Sequence, residues 1–263
     1  MSPHHGHDKK IVEQFTRWAK PFSELPVHSE EDGMARTLAA ARIAAGMRVL
    51  DVACGPGIVA CAAALRGAHV TGIDLTPAMI GQARERQRSL KLANLDWHVG
   101  DATRLPFTDG SFDVVLTRYS FHHMPHPAAA LREMKRVCRK GGRVVVIDAT
   151  PTPETQAAYD RMEIMRDGSH VSALTLEQLR SLGREVGLAE KAIDGYRLDA
   201  LLSTLADEED MPALTRLLDD DIESGEDRIG VGARREVDGI HINFPISIVT
   251  WTVVDDDTVP SST

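Results

Sequence analysis

Cysteine, long apolar runs and basic charge are all in short supply in this sequence. Its three cysteines, Cys54, Cys61 and Cys138, show no metal-like clustering and cannot build a disulfide framework. Reduced thiols in a cytoplasmic protein are therefore expected, and a metal site is not. No apolar stretch approaches the roughly 20 residues that a membrane helix needs, which argues against membrane insertion. Met1 to Lys10 is His-rich and charged and lacks the apolar segment of a signal peptide. His4, His5 and His7 are read there as part of a floppy terminus rather than as metal ligands. Lys and Arg number 30 against 39 Asp and Glu, a net charge of −9. That balance disfavours a broad phosphate-tracking surface, and with it a nucleic-acid partner. There is no internal repeat.

What is present is an ordinary core-forming composition, 43% hydrophobic and 26% charged over 263 residues. It suits one large domain, or one domain with a modest appendage. Ile11, Val12, Phe15, Trp18 and Phe22 recur at near-helical spacing, and Pro21 and Pro26 then break the chain. Gly33 to Ala45 is Ala-rich and reads as a second helix stopped by Gly46. From Met47 the rhythm changes. MRVLDVA, HVTGIDL, LDWHVGD, FDVVLTR and RVVVIDA are short β-branched runs, most of them closed by a polar or acidic residue. Helical stretches at Ile58–Leu65, Pro77–Leu92 and Pro127–Lys140 separate them. Strands alternating with helices predict an α/β fold with a doubly wound parallel sheet, helices on both faces.

Further on, Gln156–Met165 reads as a helix. Thr175–Val186 reads as another, with a Thr175/Gln178 capping box and Gly187 at its end. Ala189–Tyr196 and Ile246–Val254 are the expected sixth and last strands. The acidic stretch Asp207–Glu226 carries a short stripe of Leu214, Leu217 and Leu218 and reads as a solvated face. The expected organisation is a helical lid segment over 1–46, a cofactor-binding core over 47–150, a C-terminal completion of the sheet with acceptor-covering helices over 151–254, and a disordered tail over 255–263.

The informative stretch is Asp51-Val-Ala-Cys-Gly55-Pro-Gly57, where the first strand turns into a helix. Gly55 and Gly57 permit a tight turn and a close approach of ligand to backbone. With Ala60 they also satisfy the dinucleotide pattern. Asp51 separates the two ligand classes. A carboxylate here would repel a pyrophosphate, whereas it suits the sulfonium and ammonium of S-adenosylmethionine, which has no phosphate. Asp74 ends the second strand and can accept from ribose hydroxyls, with Leu75 and Met79 packing near the adenosine. Asp101 and Ala102, after the third strand, are placed against the adenine edge.

Together these residues resemble the class I S-adenosylmethionine-dependent methyltransferases, in particular the group of the ubiquinone/menaquinone-biosynthesis C-methyltransferases. The resemblance runs from Met47 to Thr150 through LDVACGPG, GIDLTPAMI, GDATRLPF, DGSFDVV, YSFHHMPHP and REMKRVCRKGGRVVVID. One departure is Lys140-Gly141-Gly142, where relatives often have Pro-Gly-Gly. The resemblance implies a Rossmann-like seven-stranded sheet, mostly parallel with an antiparallel C-terminal strand, the last two strands being supplied by Ala189–Tyr196 and Ile246–Val254. It carries cofactor roles to Asp51, Gly55, Gly57, Asp74, Asp101 and Ala102, and a place beside the methionine moiety to the backbone of Arg118. Aromatic residues of the first helix, Phe15, Trp18 and Phe22, become candidates for covering the site.

The expected reaction is in-line methyl transfer to the carbon, oxygen or nitrogen of a small-molecule acceptor. Alignment supplies most of the acceleration, and a base is needed where the acceptor carries a proton. His122 and His123 follow the fourth strand, and His122 is preferred as that base. Arg166-Asp-Gly-Ser-His170 resembles a segment covering the acceptor pocket in related enzymes. There Arg166 would hold an anionic acceptor and His170 would deprotonate it. His241 and Asn243 are weaker candidates. Two other readings share the sheet: a cofactor-binding cyclase or regulator without methyl transfer, and an NAD-dependent oxidoreductase, which Asp51 fits poorly. The acceptor and the oligomeric state, homodimer included, are left open.

Overall fold

A computed structural model of the protein describes residues 4–24 and 31–254. Helices α1 (His4–Glu24) and α2 (Glu31–Ala41) precede an alternation of β1 (Arg48–Val52), α3 (Ile58–Leu65), β2 (His69–Asp74), α4 (Pro77–Ser89), β3 (Leu95–Val99), β4 (Phe112–Arg118), α5 (Pro127–Val137) and β5 (Cys138–Ala149). Helices α6 (Gln156–Arg166) and α7 (Leu176–Val186) lead to β6 (Leu188–Leu201), α8 (Met211–Ser224), β7 (Arg234–Glu236) and β8 (Gly239–Val253). The strands form one sheet in the order β3-β2-β1-β4-β5-β8-β6, with short β7 added on β8. β1 to β5 are parallel, and β8 runs antiparallel to both β5 and β6. Strand β6 therefore shares the direction of the first five, and β8 alone reverses within the main sheet. The expected mostly parallel sheet with an antiparallel C-terminal strand is what forms, with β7 as an eighth strand that the sequence did not suggest.

Strand alternation divides the core. Val49, Val114, Leu116, Val145 and Ile147 face one hydrophobic cluster, shared with residues of α2, α3, α6 and α8. Their neighbours Leu50, Val52, Val115, Val144 and Val146 face the other, shared with α5 and α7. Burial on both faces is why these strands read as near-continuous apolar runs. In α5 the buried residues Leu131, Met134 and Val137 fall on one helical stripe against the second cluster. Helix α7 has the expected Thr175/Gln178 capping box and ends at Gly187 in the left-handed region. In α8, Leu214 and Leu218 are buried and Asp220 and Glu223 face outward, but Asp221 departs from the expected solvated face: it is buried and accepts from Arg228 N at 2.8 Å.

Several boundaries differ from expectation. Helix α1 begins at His4, not near Ile11, and His7 Nε2 donates to the His123 carbonyl at 3.0 Å. The described part of that supposed floppy terminus is thus helical and tied down. Helix α2 stops at Ala41 because Arg42 turns left-handed (φ 49°) and Ile43 N closes on Leu38 O at 3.2 Å, a Schellman-type end. Helix α5 ends at Val137 because Cys138 is already extended and pairs with Phe112. Strands β6 and β8 are 14 and 15 residues long, well beyond the apolar runs that announced them. Their outer halves are an edge ribbon with charged, exposed positions, which hydropathy does not mark as strand. Residues 255–263 lie outside the described residues. Among the described residues, no helix is long and apolar enough to cross a membrane.

Helix α7 lies close on β8 at Gly183, where an added Cβ would come within 2.4 Å of the Trp251 indole nitrogen. Gly183→Ala is expected to destabilise the fold by about 1–3 kcal/mol through overpacking. Gly81→Ala in α4, whose Cβ would meet nothing within 4 Å, should stabilise it by up to about 1 kcal/mol. Urea unfolding of the two variants checks both signs.

Candidate active site

The sheet order reverses between β1 and β4, and a cavity opens there at the carboxyl ends of the strands, where open α/β sheets bind ligands. Most of the residues expected from sequence converge on it: Asp51, Gly55, Asp74, Leu75, Met79, Asp101, Ala102, Arg118 and Phe15 all line the cavity. Asp51 is only 2% exposed, and its Oδ2 has no hydrogen-bond partner among the described residues. Burial pushes its pKa up to about 7; a backbone hydrogen bond at Ala60 opposes that shift, the Asp74 charge adds to it, and the Arg118 charge opposes it. Such a group is stabilised by a cation arriving in the cavity.

The glycine loop is held by Asp74. Its Oδ2 accepts from Gly55 N and its Oδ1 from Thr76 N, both at 2.8 Å. Asp74 thus braces the loop while facing the cavity. At Gly55 (φ 52°) an added Cβ would meet nothing within 4 Å, so the backbone is open to a ligand. Gly57 does not line the cavity. Its left-handed φ of 75° would strain any side chain, and a Cβ there would stand 2.6 Å from the Trp97 ring. It is needed for packing of the α3 turn against β3, which differs from the ligand contact expected of it. Asp101 accepts from the backbone and hydroxyl of Thr103 at 2.8 and 2.7 Å, a local turn that fixes its carboxylate. The Arg118 guanidinium lies over the Tyr119 ring, 4.4 Å from its centre, and donates to its hydroxyl at 3.0 Å. Tyr119 in turn meets the Tyr196 hydroxyl at 2.5 Å.

The histidines after β4 diverge. His123 lines the cavity, against the ring edge of Phe15 at 5.0 Å. His122 does not; its Nδ1 lies 2.5 Å from Asp148 Oδ1, and its ring stacks on His170 at 5.6 Å. Asp148 also accepts from the backbone nitrogens of Phe121 and Ala149. Burial disfavours charge on His122, but Asp148, Glu163 and Asp167 together outweigh it and hold its pKa above the ordinary value. His170 pairs through Nε2 with Asp160 at 2.8 Å, while its buried Nδ1 has no partner among the described residues. Arg166 is half-buried and doubly bonded to the buried Glu163, at 2.6 and 3.1 Å. His122, His170 and Arg166 are thus brought together with carboxylates behind the cavity, not on its wall.

Trp18 and Phe22 belong to α1, but their side chains lie outside the described residues. His241 sits on the β7–β8 hairpin between Asp199 and Asp238, each at 3.0 Å, and neither it nor Asn243 lines the cavity. Sequence reasoning missed Asp8 and Ile11 on the wall, and Asp148, Asp160 and Asp167 behind it. Asp148 had a signal, the acidic end of the RVVVIDA run. The pairing of Asp160 with His170 had none, since it depends on how α6 is followed by its loop.

The residues present fit S-adenosylmethionine. A buried carboxylate with one oxygen unpaired among the described residues lines the cavity for a sulfonium or ammonium, a second stands at the end of β2 for a diol, and an open glycine backbone adjoins both. Fold and site together describe a Rossmann-like domain whose cavity suits S-adenosylmethionine. Residues 50–146 match the family described as "Methyltransferase domain". Over 121 residues the chain is 40% identical to the ubiquinone/menaquinone biosynthesis C-methyltransferase UbiE of Roseobacter denitrificans, a match covering 44% of this chain and 48% of that protein. It is 28% identical to the uncharacterized methyltransferase YcgJ of Bacillus subtilis over 70% of this chain and 74% of that one. The crystal structure of YcgJ superposes with a TM-score of 0.78 at 22% identity, over 86% of this chain and 100% of that chain. A Haemonchus contortus phosphoethanolamine N-methyltransferase, solved with S-adenosyl-L-methionine, has the same fold (TM-score 0.62, 19% identity, 86% of this chain and 53% of that one). The chain spans about half or less of the first curated relatives that it matches.

The buried pair His122–Asp148 makes stability pH-dependent. His122 has a raised folded pKa, so its contribution is fully present below about pH 6.5 and is lost as pH rises through the folded value. Asp148, with a lowered folded pKa, contributes above the ordinary carboxylate range and is lost only in stronger acid. Wild-type stability should therefore decline from near neutrality upward, by at most about 1.4 kcal/mol per pH unit from this residue. His122→Gln should remove that decline, as read from urea midpoints across pH.

Proposed function

We propose that this protein transfers the methyl group of S-adenosylmethionine to a small organic acceptor, and that the cavity at the β1–β4 switch point holds cofactor and acceptor together. The observation that carries this reading is the buried Asp51 carboxylate, whose Oδ2 has no hydrogen-bond partner among the described residues. The cofactor supplies an electrophilic methyl on a positively charged sulfur. Asp51 faces that charge or the neighbouring ammonium. Asp74 accepts from the ribose hydroxyls with the lone pairs left by Gly55 and Thr76, and Leu75 and Met79 form the apolar wall beside the adenosine. Asp101 and Ala102 take the adenine edge, and the backbone at Arg118 borders the methionine end.

Helix α1 closes the other side with Ile11 and Phe15, excluding water from the reacting centre. His122 and His170, each paired with a carboxylate, and Arg166, neutralised by Glu163, are assigned to fixing the acceptor wall rather than to contact with the acceptor. Apolar lining from Ile11, Phe15 and Met124 favours a compact, largely apolar acceptor. The negative charge of the chain disfavours a nucleic acid.

Calorimetry should find binding of S-adenosylmethionine and none of a nicotinamide dinucleotide; the reverse result would end this reading. Asp74→Ala is expected to weaken cofactor binding at least about tenfold, the loss of a charge-assisted hydrogen bond of about 1.5–3 kcal/mol. Because Asp51 must be ionised to face a cation, affinity for S-adenosylmethionine should rise with pH through about 7. Asp51→Asn should bind more weakly and without that rise. In turnover, S-adenosylhomocysteine must form in step with methylated product; a cyclase or regulator on the same fold would release none.

A further inference from the structure

We propose that His123 is the acceptor-side catalytic residue: a neutral imidazole locked in one tautomer, whose Nε2 receives the hydrogen of a hydroxyl, phenol or enol acceptor. The assignment rests on the methyl-transfer reading and names the chemistry of the acceptor for that site.

Two contacts hold the ring and a third holds its backbone. Ser169 Oγ lies 2.6 Å from Asp167 Oδ1 and 3.1 Å from His123 Nδ1. A serine hydroxyl has one hydrogen, and the buried carboxylate is the stronger and nearer acceptor, so Ser169 donates to Asp167. Its oxygen must then accept from His123, which places the hydrogen of the neutral ring on Nδ1. The other nitrogen, Nε2, is left as a bare acceptor and has no hydrogen-bond partner among the described residues. From the opposite side α1 holds the residue twice, by the Phe15 ring at 5.0 Å and an 88° interplanar angle, and by His7 on the carbonyl.

The titratable groups around the ring are His122 and His126 on its own segment, Asp148 from β5, Asp167 and His170 from the loop after α6, and His7 and Asp8 from α1. Burial and the neighbouring His122 hold the pKa of His123 down to about 3 against the pull of Asp167, so the ring is an acceptor throughout the working range. A base this weak suffices because the acceptor hydroxyl becomes strongly acidic as its oxygen bonds to carbon. While the O–CH3 bond forms and the S–CH3 bond breaks, the electron pair of the broken bond goes to sulfur and the hydroxyl proton goes to Nε2. The Ser169–Asp167 chain stabilises the resulting imidazolium before the proton leaves to solvent.

The test is nitrogen NMR on histidine-labelled protein saturated with S-adenosylhomocysteine, the His123 signals being assigned with His123→Asn. Nε2 should be unprotonated between about pH 5 and 8, and Ser169→Ala should mix the tautomers. Phenol, as the probe, should shift Nε2, and His123→Asn should weaken phenol binding about tenfold while the dissociation constant for S-adenosylhomocysteine stays unchanged. A hydrogen on Nε2, or phenol that fails to bind or binds without moving that signal, would overturn the assignment. Failure of S-adenosylhomocysteine to bind at all would instead strike the methyl-transfer reading.

Discussion

A carboxylate buried at the tip of β1 with one oxygen left unpaired among the described residues is the constraint around which the rest of the site is arranged. Asp51 sits beside Asp74 in a region that burial makes hostile to charge, and the fold tolerates both because each has a different means of support. Asp74 is stabilised by two backbone N–H groups. Asp51 keeps one oxygen free and remains near its point of protonation. A positively charged ligand resolves that tension and a phosphate would worsen it. The same sheet in other proteins serves other ligands, so it is this local electrostatic bias, more than the architecture, that speaks for a sulfonium cofactor.

The second organising feature is the divergence of two adjacent histidines. A short turn after β4 sends the His122 ring back toward Asp148 at the end of β5 and the His123 ring forward into the cavity. Behind them α6 and the loop after it bring His170, Asp160, Asp167 and the Arg166–Glu163 pair into one group, buried or half-buried throughout. Buried charges of this kind are costly to assemble and are tolerated when every member is paired. Their effect is to hold that side of the cavity in one arrangement and to make the two histidines opposite in character, one readily protonated and one neutral. Helix α1 completes the wall from a distant part of the chain, so the cavity is closed by residues that precede the sheet altogether.

The Rossmann-like core was legible because its signals are local. Alternating strand and helix periods, the glycine turn and the acidic strand ends at Asp51, Asp74 and Asp101 are each set within a few residues, and strand ends converge wherever a parallel sheet forms. Gly57 illustrates the limit: the sequence marks it as special, yet the side chain that demands it is Trp97, forty residues away in the chain. The edge ribbon of β6 and β8 was only half visible, because charged edge positions carry no apolar alternation.

By itself, the sequence determined the fold class, the position of the cavity and the residues at its strand ends, since these depend on spacing along single elements. Only the tertiary structure decided which histidine faces the cavity, that Arg166 is already neutralised, and that α1 forms part of the wall. Those outcomes depend on pairings such as Asp148 with His122, Asp160 with His170 and Ser169 with His123. Such contacts join separate elements, and no periodicity along the chain encodes which buried partner a polar side chain will find.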